Sequence, residues 1–169
     1  MTASTTTAPV LPDTFALKLL NGRYIASLAT HRKDGSIHLT AIWYLYKEGY
    51  LYFPTNSASQ KVRNVETDST VSALIDRRVP GKEQGVSVSG TATIIRGAAG
   101  RQLVAEAQQR YLTPQALNDP KIGPAYAEFD DVVIALTPER WTTWDIAQMN
   151  ADTFDGVLGV ESGYLYPLD

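Results

Sequence analysis

The sequence predicts a mainly β fold with a few helices: an antiparallel barrel of six or seven strands in a single domain. Three observations predict it. Strand-like runs, rich in β-branched and aromatic residues, dominate the chain. Successive runs are joined by turns far shorter than the dozen-residue crossover that a parallel pair needs. One segment, 98–112, has clear helical spacing, which supplies a helix to fill a gap or an end of the barrel.

The elements follow in order. Residues 1–12, a Thr/Ala/Pro lead without a basic or apolar core, read as a flexible segment and not as a signal peptide. Asp13 is placed to cap a short helix through "TFALKLLNG", which Gly22 would stop. "RYIASLAT" reads as a strand, and "KDG" (33–35) carries the Asp-Gly signal of a hairpin turn. "SIHLTAIWYLY" (36–46) reads as one strand, "KEG" (47–49) as a turn and "YLYFPT" (50–55) as a strand, so that three strands form a meander. A short helix through about Thr67 comes next, then a strand over 69–76, a polar loop over 77–85 and a strand over 86–95. Gly90 inside that last strand predicts a bulge or a close backbone approach. In the helix over 98–112, Leu103, Ala107 and Tyr111 recur every four residues. The Pro-containing segment 113–130 reads as irregular with a short helical turn, and 131–145 as one or two closing strands. Trp141 and Trp144 there fall on opposite faces, one toward the core. The barrel domain therefore spans 13–145, and 146–169 forms an acidic, aromatic tail without a single cation, either a loose end or a strap over a neighbouring subunit.

Totals exclude several function classes. At 169 residues with 44% hydrophobic content, a substantial core forms without staples. A net charge of −3 disfavours nucleic-acid binding, which asks for a strongly basic face. The absence of cysteine removes disulfides, thiolate metal sites and cysteine nucleophiles. No His/Asp/Glu spacing points to a metal, there is no G-x-S-x-G elbow, and "GAAG" (97–100) lacks the dinucleotide fingerprint. No run is long and apolar enough to span a membrane, so a cytoplasmic protein is expected.

The chemistry concentrates in "NSASQKVRN" (56–64), where a strand gives way to a helix. Ser57 and Gln60 fit a capping box, hydroxyl at the N-cap and amide at N3. First-turn amides lack intrahelical partners and carry partial positive charge, which makes a helix start an anion site. Ser59 adds a hydroxyl, Lys61 a full charge, and Thr55 stands at the end of the preceding strand. The bland alternative is a solvated helix start with a surface lysine. The two histidines, His31 and His38, are each more often structural or surface groups than catalysts, and the second is the better, weak catalytic candidate.

Over residues 22–76, "DGSIHLTAIWYLY…GYLYFPTNSASQKVRNVETDSTVSALID" resembles the split-barrel flavoproteins related to pyridoxamine 5′-phosphate oxidase, and "AEAQQRYLTP" with "DVVIALTPERWTTWD" extends the likeness to about 15–145. No single motif is specific; their joint order is. The pattern most resembles the actinobacterial branch that uses the deazaflavin coenzyme F420, with FMN the alternative cofactor. It departs from true pyridoxamine phosphate oxidases at Gln60, where they carry Arg, and in a tail without Arg, so oxidation of pyridoxamine phosphate is not expected.

The resemblance implies an FMN-binding type of split barrel, a homodimer with the cofactor at the subunit interface, and hydride transfer from reduced F420 to an unsaturated small molecule. It implies that Thr55, Ser59, Gln60 and Lys61 hold the cofactor phosphate while Asn64 supports the helix start. It lays the ring along His38, Leu39, Thr40, Ala41 and Ile42 with Trp43 at its rim, and offers Arg77 and Arg78 to the acidic tail of F420. An FMN-dependent reductase and a non-catalytic flavin- or F420-binding protein are the alternatives.

Overall fold

The computed structural model describes residues 14–168; Asp13 and the lead 1–12 lie outside the described residues. Seven strands form one antiparallel sheet. In chain order the elements are α1 (Thr14–Asn21), β1 (Ala26–His31), β2 (Ile37–Ile42), β3 (Leu45–Lys47), β4 (Tyr50–Asn56), α2 (Gln60–Thr67), β5 (Thr70–Arg77), β6 (Gln84–Ile95), α3 (Gly97–Tyr111), α4 (Pro114–Asn118), α5 (Ile122–Glu128), β7 (Asp131–Asp145) and α6 (Ile146–Phe154). Strand order across the sheet is β2-β1-β5-β6-β7-β4-β3.

That order forces the sheet to roll up. β2 and β3 are its opposite edges, yet only Trp43 and Tyr44 join them. Two linking residues reach roughly 11 Å at most. Seven flat strands would hold their edges roughly 29 Å apart. Only a curled sheet satisfies both, which is the split-barrel architecture.

The expected single strand over 36–46 is therefore two strands, and the expected three-strand meander is two separate hairpins. Side-chain chemistry explains the break. Tyr44 turns into the core, fully buried, and its hydroxyl donates to the Leu19 carbonyl (2.9 Å) and the Gly22 carbonyl (3.1 Å) at the end of α1. Trp43 turns the other way and stacks on Tyr111 of α3, with centroids 4.8 Å apart. The β3–β4 turn uses Glu48 and Gly49, both at positive φ, the backbone of a tight two-residue hairpin.

The core is the barrel interior. Leu28, Phe53, Ile75, Val86, Val88, Ile134 and Leu136 fill it, drawn from five different strands at alternate positions. β6 bends at Gly90, where the register shifts and Glu139 of β7 is left over. A Cβ at Gly90 would sit 2.0 Å from the Thr137 carbonyl, so the close approach expected at this glycine is present. α3 buries Gly100, Val104 and Ala107, so the expected Ala107 is inward while Val104 takes the buried place expected of Leu103. The segment 113–130 holds two short helices. Trp141 packs against the core, and the ring of Trp144 lies over Gly85, its cross-strand partner. The first half of the tail is tied to its own chain: buried Asn150 donates to the Gly81 and Leu158 carbonyls and accepts from the Leu158 amide.

Candidate cofactor-binding site

Five of the residues singled out by sequence meet at the junction of β4 and α2. The Lys61 ammonium donates to Thr55 Oγ1 at 3.1 Å, and the Thr55 hydroxyl donates to Ser59 Oγ at 3.3 Å. Gln60 Nε2 donates to Asn64 Oδ1 at 2.7 Å, and Asn64 Nδ2 donates to Thr30 Oγ1 on β1 at 2.9 Å. Asn64 and Thr30 are both buried, so this chain pins the helix to the sheet.

The capping box does not form. α2 begins at Gln60 with Ser59 as its N-cap, and the Ser59 side chain makes no capping bond. Ser57 instead bonds the Asp130 carboxylate with its hydroxyl, and its amide donates to the Asp130 carbonyl. Gln60 reaches forward to Asn64, not back to the cap. Among the described residues no acceptor meets the amides of Gln60, Lys61 or Val62. The helix start thus keeps the open donors that a capping box would have consumed.

β2 forms one wall. It pairs only with β1, so its other edge of amides and carbonyls is free of sheet partners. Register places His38 opposite Thr30 and Thr40 opposite Leu28, which turns His38, Thr40 and Ile42 to the inner side. His38 Nδ1 and Thr40 Oγ1 are buried without a hydrogen-bond partner. Ile37, Leu39 and Ala41 point outward; Ile37 is 62% and Leu39 65% exposed.

The electrostatics agree. Burial lowers the Lys61 pKa. Burial, then the charges of Arg32 and Lys61, lower that of His38, favouring the neutral imidazole. A half-buried ammonium, open helix amides and two hydroxyls form a donor-rich cluster whose only paired acceptors are neutral. A phosphate ester supplies the missing negative oxygens, so the residues present fit that part of a flavin or deazaflavin.

The remaining predicted residues stand apart from the cluster. Trp43 is turned toward α3 and α5. Arg78 pairs with Asp76 at 2.6 Å, and with Arg77 it borders a groove of about 460 Å³ that also takes in Tyr24, Ile25, Ser27 and Ala41. Sequence reading missed Thr30 and Arg32. Both were reachable: a hairpin turned at 33–35 sets Thr30 against His38, and Arg32 then flanks the same strand.

A family model described as pyridoxamine 5′-phosphate oxidase matches residues 13–145. The chain belongs to that family. Among solved structures it is similar to a conserved hypothetical protein from Mycobacterium tuberculosis, at 25% identity over 88% of this chain and 93% of the other, with a TM-score of 0.68. It shares the fold of an F420 reductase, at 24% identity over 78% and 98% of the two chains and a TM-score of 0.61. It also shares the fold of a heme storage protein from Vibrio cholerae, at 13% identity over 80% and 95% and a TM-score of 0.61. A search of curated proteins finds no match. No helix among the described residues is long and apolar enough to cross a membrane.

Proposed function

We propose that this chain is a reductase that uses coenzyme F420, with its phosphate held by Thr55, Ser59, Lys61 and the free amides of α2. One observation carries the reading: the half-buried Lys61 ammonium, hydrogen-bonded to a neutral hydroxyl beside uncapped helix amides. Gln60 and Asn64 hold the helix start in place. The free edge of β2, over His38, Leu39, Thr40, Ala41, Ile42 and Trp43, offers main-chain groups to the polar edge of the ring. Arg77 and Arg78 serve the acidic tail of F420. The membership of the family and the shared fold of an F420 reductase support this choice over other small barrels.

When bound and reduced, the deazaflavin supplies a hydride to an unsaturated small molecule. The protein's part is positioning and charge complementarity. In this reading Lys61 fixes the phosphate, β2 fixes the ring, and His38, on the inner face of β2, is the candidate to pass a proton, with solvent or a tyrosine as alternatives. The chain works as a homodimer. The outward face of β2, with Ile37 and Leu39 largely exposed, is the apolar surface a second copy would cover, and it adjoins the ring-binding edge. The barrel domain is 13–145, and 146–169 is accessory to it.

Titration of the purified chain with F420 and with FMN tests the cofactor, and oxidation of reduced F420 with enones or quinones tests turnover. F420 is expected to bind more tightly than FMN and to be oxidised. Tighter FMN binding with FMN-dependent turnover would make the chain a flavin reductase. Tight binding without turnover would make it a carrier.

A further inference from the structure

A second recess lies on the outer side of the sheet, beneath α3 and α5. Adjacent residues of β4 separate it from the phosphate cluster: Thr55 turns to Lys61, whereas Pro54 lines the recess. The inner part, about 190 Å³, is walled by Trp43, Pro54, Val104, Gln108, Tyr126 and Asp131. It continues through Val104, Gln108, Tyr126 and Asp131 into an outer part of about 240 Å³, where Phe129 and Arg101 join the wall. The rings are ordered by their own packing. Trp43 lies nearly parallel to Tyr126 at 6.3 Å, and Phe129 meets Tyr126 edge-on at 5.3 Å.

The odd member of this wall is Asp131. Its backbone is fixed by the β4–β7 ladder, opposite Asn56, and by its amide donating to the Phe129 carbonyl. Its carboxylate makes no hydrogen bond or ion pair among the described residues. Burial, then the neighbouring Asp130 charge, raise its pKa. A half-buried carboxylate among aromatic rings favours a ligand that brings a positive charge or N–H donors to it. Gln108 Nε2 donates to the Tyr126 carbonyl at 3.3 Å, which leaves the Gln108 amide oxygen as a second acceptor. Arg101 stands only in the outer part, so Asp131 is the one acidic or basic side chain of the inner wall.

We propose that this recess binds a small planar aromatic molecule bearing an amidinium or protonated amine, with its ring against Tyr126 and its N–H groups on Asp131 and Gln108. The charge selects the class. An anion would face Asp131, and an apolar molecule would leave Asp131 unpaired. The inner part, about 190 Å³, holds one ring system, and the outer part leaves room for a substituent on it.

Isothermal titration of the full chain with benzamidine, benzoate and benzyl alcohol tests the proposal. Benzamidine is expected to bind saturably, and the other two at least tenfold more weakly. Asp131→Asn, which keeps the shape and removes the charge, is expected to lower benzamidine affinity at least tenfold, in line with loss of a charge-assisted bond. Absence of benzamidine binding, equal binding of benzoate, or an unchanged affinity in Asp131→Asn would each overturn it. No cofactor enters the titration, so its outcome is independent of the reductase reading.

Discussion

Helices α2 and α6 both begin at the end of a strand behind a residue able to cap them, and they use that residue differently. At α6 the Asp145 carboxylate accepts from the Gln148 amide at 3.0 Å and closes the helix start. At α2 the Ser59 side chain makes no such bond; its oxygen accepts from Thr55 instead, and the first-turn amides stay open. One start is built for stability. The other gives up a cap worth about 1 kcal/mol and buries part of a lysine nearby. The difference teaches where the chain has withheld local stabilisation, and hence where it expects a partner.

The largest expected effect breaks the contrast at Lys61. Lys61→Ala is expected to weaken binding of F420 or FMN about tenfold or more, by removing a charge-assisted phosphate contact. Riboflavin, which lacks the phosphate, should bind the variant and the parent alike; equal loss for both would move the phosphate away from α2. The same lysine sets a pH dependence. Its pKa is lowered in the folded chain, so the unfolded state holds the proton to higher pH. Without ligand, stability should therefore rise with pH between the folded value and the ordinary lysine value of 10.5, while phosphate binding is lost over that window. Denaturation and titration carried stepwise from neutral pH up to pH 10.5 would read both slopes.

Next in size is Asn64→Ala. It strips the buried Thr30 hydroxyl of its donor and is expected to cost about 1–3 kcal/mol in denaturant unfolding. Thr30→Ser keeps the acceptor and should be far milder. The smallest pair sharpens the comparison directly. Asp145→Ala should cost about 1 kcal/mol and leave cofactor affinity untouched. Ser59→Ala should do the reverse, changing stability by only a few tenths of a kcal/mol while lowering affinity severalfold. Matching stability losses in the two variants would show that both helix starts serve the same purpose.

Much of this was legible in the sequence. The strand count, the hairpin at 33–35, the bulge at Gly90 and the grouping of Thr55, Ser59 and Lys61 all follow from local patterns, because turns and strand ends are set by neighbouring residues. What was not legible depends on distant partners. Tyr44 breaks a strand-like run because it satisfies carbonyls of α1, more than twenty residues upstream. Ser57 abandons the capping box because Asp130 lies beside it, and no periodicity reports that contact. Asp131 looked like the first residue of a strand; only the covering helices turned it into the floor of a recess.

The two-residue bridge at Trp43 and Tyr44 carries a consequence of its own. Along most of the barrel, neighbouring strands are stitched by amide-to-carbonyl ladders, but no ladder joins β2 to β3, and the ring closes there through the chain itself and the packing of Trp43 and Tyr44. A single backbone cut there would remove that link while leaving β2 paired to β1 and β3 paired to β4. The wall that the proposed cofactor would use is thus also the part whose position depends on the continuity of the chain.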